Sequence, residues 1–79
     1  MKNRSATLEL NQNPRAIRRR RVRKGLQQKD LAAAAGISPQ HMCGIESGAV
    51  SAGIGAIGRL AAVLDCEPAD LMSEELIRE

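Results

Sequence analysis

Side chains able to do covalent or metal chemistry are scarce in this sequence. There is one histidine, His41, and two cysteines, Cys43 and Cys66. The cysteines lie far apart, match no zinc spacing and have only His41 as a further soft ligand, so no metal site is expected. No spacing pairs a nucleophile with a base, and the carboxylates gather toward the C-terminus, so neither an enzyme nor a cofactor is expected. Gly53-Ile54-Gly55-Ala56-Ile57-Gly58 spells the G-x-G-x-x-G of dinucleotide sites. That fingerprint needs a preceding strand, a βαβ unit and a later ribose-binding acid, none of which this length supplies. The segment reads instead as a helix whose glycines let neighbours approach closely, at a cost of about 1 kcal/mol for each interior glycine.

The remaining chemistry is electrostatic. Residues 1–25 carry nine basic side chains (Lys2, Arg4, Arg15, Arg18 to Arg21, Arg23, Lys24) against Glu9 alone, a balance of +8 in a chain whose total is +3, which leaves −5 for residues 26–79. A basic third on a small domain is a footprint for a polyanion, most often nucleic acid. A solvated helix face or an import patch would look the same by charge alone. Phe, Tyr and Trp are absent, which argues against single-strand binders and RNA-recognition sheets, since those stack bases on aromatic rings. Duplex DNA stays open. No apolar run approaches the roughly 18–20 residues that span a bilayer, and residues 1–13 lack a signal-peptide core. The protein is expected in the cytoplasm, without membrane contact, and with both thiols reduced.

At 79 residues the chain supports one domain with one modest core, built from Leu, Ile, Val, Met and Ala. Residues 1–13 read as a flexible basic arm, in which Ala6, Leu8 and Leu10 alternate with polar residues and would form a strand only against a partner edge. Residues 14–79 read as an all-α domain of five short helices. Asn13-Pro14 caps the first, which runs to about Lys24 and closes at Gly25. Gln28 to Ala35 forms the second, ending at Gly36. Ser38-Pro39 starts the third, which ends near Ser47-Gly48. After a loop, Ala49 to Ala52, a fourth carries Ile54, Ile57, Leu60, Ala61 and Leu64 at helical spacing. Pro68 starts a fifth, with Leu71, Met72, Leu76 and Ile77.

The run Gly25-Leu26-x-Gln28-x-x-Leu31-Ala32-x-x-x-Gly36-Ile37-Ser38, continuing through Ile45-Glu46-x-Gly48 and the spacing to Ile54, Ile57, Leu60-Ala61, Leu64 and Leu71, resembles the Cro and C1 repressor-like, or xenobiotic-response-element type, helix-turn-helix family. The resemblance covers roughly residues 14 to 72. It implies a compact lambda-repressor-like fold whose second and third helices form the helix-turn-helix. It also implies a transcription regulator, most often a repressor, that binds a palindromic operator in double-stranded DNA as a homodimer. The physical logic is legible in the residues: Ala32 lets the two helices cross closely, Gly36 turns the backbone, and Ile37, Met42 and Ile45 pin the third helix. Its other face, Pro39, Gln40, Cys43, Gly44 and Ser47, repeats every three or four residues and suits a major groove. Gln40 is the first candidate for base reading, since a glutamine amide can pair with both adenine N6 and N7.

The resemblance further places Gln28 on a phosphate at a helix N-terminus, with His41 either helping there or standing as a neutral surface residue. It pairs Arg21 with Glu46 in a structural ion pair. Several positions depart from the family pattern. Arg20 stands where a core Leu is usual, and Gln27 replaces the Ser or Thr cap, which should weaken the second helix by roughly 1 kcal/mol. Gly44 replaces a long reading side chain, and Ala49 and Val50 replace loop residues that are often basic. Lys2, Arg4, Arg15 and some of Arg18, Arg19 and Arg23 are therefore expected to contact phosphates or to reach an adjacent minor groove. Met72, Leu76 and Ile77 are the expected dimer contact. The alternatives are a restriction-modification controller, an antitoxin partnered by a toxin, a regulator touching RNA polymerase, and an interaction module that kept only the fold.

Overall fold

The computed structural model describes residues 10–73. Four α-helices, α1 (Pro14–Arg23), α2 (Gln28–Ala35), α3 (Pro39–Ser47) and α4 (Ile54–Leu64), are followed by a 3-10 turn, Pro68–Leu71. Each helix boundary has a chemical cause. Asn13 Oδ1 accepts the Ala16 N–H (3.2 Å) and Ser38 Oγ accepts that of His41 (3.1 Å), with a proline at the first helical position in both cases. Gly25, Gly36 and Gly48 all turn the chain at positive φ, after α1, α2 and α3, the left-handed exit that costs a glycine nothing. α4 ends without a glycine: Asp65 takes that conformation at φ 58°, and its carboxylate accepts from Lys24 Nζ at 2.8 Å. The hydrogen bond and charge of Lys24 hold the Asp65 carboxyl below the ordinary carboxylate range.

The weak start expected for α2 is offset from within the helix. Gln27 makes no side-chain cap bond, but its own N–H is taken by Asp30 Oδ2 at 3.0 Å, which also sets a negative charge in the first turn, where the helix dipole favours it. At the other end Arg59 Nε donates to the Ala35 carbonyl (2.9 Å), so α4 satisfies a terminal acceptor of α2.

The apolar part of the core is built from aliphatic side chains and Met42. Ile17, Leu31, Met42, Ile45, Ile57, Leu60 and Leu71 are fully buried, and Ala32, Ala35 and Ala61 fill the close crossings between them. α2 packs on α3 and α4, while α1 and the 3-10 turn close the other side. Arg20, in place of a core leucine, lies half-buried at the edge, with a guanidinium nitrogen 4.0 Å from Asp70 Oδ2; α1 still begins at its Asn13-Pro14 cap.

Three expectations change. First, the arm boundary moves back, because residues 10–13 belong to the fold. Gln12 is 1% exposed. Its Nε2 donates to the carbonyls of Ile45 (3.0 Å) and Val50 (2.9 Å), and its Oε1 accepts from the Ala52 N–H (2.9 Å). Asn11 and Asn13 make further backbone bonds to Ser73 and Leu71, around an antiparallel bridge between Gln12 and Met72. A buried carboxamide with these partners made is as much core as a leucine. Second, the fifth helix is, among the described residues, one 3-10 turn followed by extended Met72. Met72 is half-buried against this domain's own core, which removes part of its surface from any dimer contact; Leu76 and Ile77 lie outside the described residues. Third, the glycines of Gly53–Gly58 do not bring neighbours close. A Cβ added at Gly53 or Gly58 would meet nothing within 4 Å, and one at Gly55 only the Arg59 side chain at 3.7 Å. Ala56 and Ala61 are the small residues facing the core.

Candidate nucleic-acid interface

α3 divides cleanly. Met42 and Ile45 are buried, while Pro39, Gln40, His41, Cys43 and Ser47 are exposed. Burying one stripe fixes the opposite stripe outward, as the helical period requires. The Gln40 carboxamide makes no hydrogen bond among the described residues, so all its donors and acceptors are available to a ligand. Ser47 is less free: its hydroxyl donates to the Gly44 carbonyl (3.2 Å) and accepts from the Ala49 N–H (3.3 Å). Cys43 is an exposed thiol. Cys66 is a half-buried one, and burial raises its pKa.

Shallow depressions flank the exposed stripe. One is lined by Arg18, Arg21, Gln28, Cys43, Glu46 and Ser47, bringing together the start of α2, the far half of α3 and the basic face of α1. Arg18 also lines a neighbouring concavity with Arg15, Arg19 and Val22. A cationic surface therefore runs from α1 to the reading stripe. Arg15, Arg18, Arg19 and Arg23 make no ion pair among the described residues, whereas the acids nearest this surface are engaged internally. Glu46, its side chain 4% exposed, receives Arg21 Nε at 2.6 Å and Nη2 at 3.1 Å, and Gln28 Nε2 at 3.2 Å; Arg21 Nη1 reaches the Leu26 carbonyl at 2.8 Å. The fork of Arg21 thus locks α1, the α1–α2 turn and α3 together, and Gln28 is oriented by the same carboxylate.

The other depression holds Ser38, Gln40, His41, Gly44 and Val50. His41 lines this one and not the depression of Gln28. Gly44 is not an open gap in the stripe: Val50 leans over it, and a Cβ at Gly44 would stand 3.0 Å from Val50 Cγ2. Two residues of this region, Val50 and Gln12, were not expected from the sequence to matter. Val50 stood out only as a missing basic residue, and Gln12 sat in a polar run, Asn11-Gln12-Asn13, with no period to mark it as buried.

Among the described residues no three His, Cys, Asp or Glu side chains gather to hold a metal, and no helix is long and apolar enough to cross a membrane. Two packed helices joined by a glycine turn, the second presenting an unpaired amide beside a cationic face, define a helix-turn-helix domain. Residues 17–71 match the helix-turn-helix family model, and the chain belongs to that family, in its Cro/C1-type branch. Among solved structures it is similar to the restriction-modification controller protein C.AhdI from Aeromonas hydrophila, at 33% identity over 72% of this chain and 86% of that one, with a TM-score of 0.70. It is also similar to the biofilm master regulator SinR in complex with DNA (25% identity, 73% and 97% of the two chains, TM-score 0.70). The DNA-binding domain of SinR from Bacillus subtilis matches at 27% identity, over 84% and 97% of the chains, with a TM-score of 0.68. No curated protein matches the sequence.

Proposed function

We propose that this protein is a sequence-specific transcription regulator that binds double-stranded DNA through α3. It acts as a cytoplasmic repressor on a palindromic operator, two copies setting their α3 helices in successive major grooves about 34 Å apart. The observation that carries this reading is the exposed stripe of α3, with the unpartnered Gln40 at one end and Arg18 and Gln28 beside the other. Gln40 reads a base edge, and Cys43 and Pro39 contribute shape. Arg15, Arg18 and Arg19 meet phosphates, Gln28 meets one at the start of α2, and Arg21 with Glu46 holds the two helices in register. Lys2 and Arg4 lie outside the described residues. Leu10, the first described residue, packs beside Gly48 at the end of α3.

The relatives support this reading: SinR is solved on DNA, and C.AhdI is a controller protein. The similarity to C.AhdI favours a controller of a restriction-modification system as a specific form of it. Selection of bound duplexes from a random pool at near-physiological salt tests it. A two-fold symmetric consensus is expected, and uniform weak retention of all duplexes would overturn sequence-specific regulation.

A further inference from the structure

Val50 closes over the bare backbone of Gly44 and, with Ser38, Gln40 and His41, lines the shallow depression beside the exposed stripe of α3. Val50 can sit this close only because residue 44 has no side chain, since even a Cβ there would crowd Val50 Cγ2 at 3.0 Å. Val50 is 37% exposed, so the valine is partly seated on Gly44 and partly presented outward. Its position is also fixed. The Ala49 and Val50 amides both donate to the Gly44 carbonyl (2.9 and 3.3 Å). The Val50 carbonyl accepts from buried Gln12 (2.9 Å), and Ser51 Oγ and the Ala52 carbonyl are held by Asn11. A loop with its backbone bonds so fully made presents the Val50 side chain without an ordering cost.

We propose that Val50 is a specificity-determining residue that receives the C5-methyl of a thymine adjoining the base read by Gln40. This rests on the reading of α3 as the major-groove helix. In that groove the thymine methyl is the only apolar feature of a base edge, and it matches the exposed methyl surface of Val50, which has no charge to satisfy. The other side chains of the depression, Ser38, His41 and the Gln40 amide, are polar and surround Val50. Discrimination at this position thus passes from the α3 side chain, absent at Gly44, to the loop that follows.

The test uses the full chain and the duplex recovered by selection. Each thymine is replaced in turn by uracil, which removes only the methyl. One thymine per half-site is expected to lose about fourfold in affinity, the worth of one buried methyl, and in Val50→Ala that thymine and uracil should bind equally. Gly44→Ala, which pushes Val50 off its seat, should lose the same preference with Val50 still present. The inference is overturned if no uracil substitution weakens binding, or if Val50→Ala costs the same on thymine and uracil duplexes. If no duplex is selected at all, the DNA-binding reading fails first, and this one with it. Thermal unfolding of each variant separates a defect in binding from a defect in folding.

Discussion

At the scale of single residues, the side chains of this surface divide into those left exposed and unpaired and those whose bonds hold the surface in place. Glu46 belongs to the second. It is nearly buried and receives Arg21 twice and Gln28 once, so truncating it strands a guanidinium in a site built for a pair. Glu46→Ala should lose about 3–5 kcal/mol of stability, measured by urea unfolding, whereas Gln40→Ala should leave stability unchanged. On the selected duplex Gln40→Ala should cost about 1–3 kcal/mol in affinity, and very little on an unrelated one. The direction of Gln40 and the Arg21–Glu46 pairing were both legible in the sequence, because helical period and family spacing fix them. The involvement of Val50 was not, since nothing in a linear string says that a loop valine folds back over a glycine six positions earlier.

At the scale of elements, the stretch before α1 is a structural element in its own right. Removing residues 1–9 leaves Gln12 and its bonds intact, while removing 1–13 also deletes the carboxamide that ties Ile45, Val50 and Ala52 together. The shorter truncation should unfold like the whole chain, and the longer one should fail to show a cooperative transition. Gln12→Ala should lose about 3 kcal/mol, because buried backbone groups are left without partners. α4 offers the opposite effect. Gly58 sits in the helix interior with open space where its side chain would be, so Gly58→Ala should stabilise the domain by about 0.5–1 kcal/mol. That gain corresponds to a rise in Tm of about 4 °C, seen by thermal circular dichroism.

At the scale of the whole molecule, charge is segregated. The basic surface of α1 has free guanidinium groups, and the negative residues beyond residue 25 include Asp30 and Glu46, which are engaged in a helix cap and an ion pair. If phosphate pairing carries most of the affinity, as the proposed function implies, its signature is salt dependence. Every cation withdrawn from a phosphate lowers the slope of log K against log salt by about 0.9, because one counterion fewer is released on binding. Replacing Arg15, Arg18 and Arg19 together by alanine should therefore flatten that slope by about 2–3, weakening specific and non-specific duplexes alike. Removing residues 1–9, with Lys2 and Arg4, should flatten it by up to about 2 while leaving sequence preference unchanged. Titrations at several salt concentrations measure both.

The sequence by itself determined the all-helical class, the boundaries of the four helices and which stripe of α3 faces outward. Those follow from caps, glycine exits and apolar period, which are local and repeat along the chain. Tertiary structure alone decided that Gln12 is core, that Pro68–Leu71 is a single turn closing the bundle, and that Val50 fills the place Gly44 vacates. Each depends on partners distant in the chain or on the detailed path of a loop, and burial of a polar group is set by the bonds that reach it, not by its type.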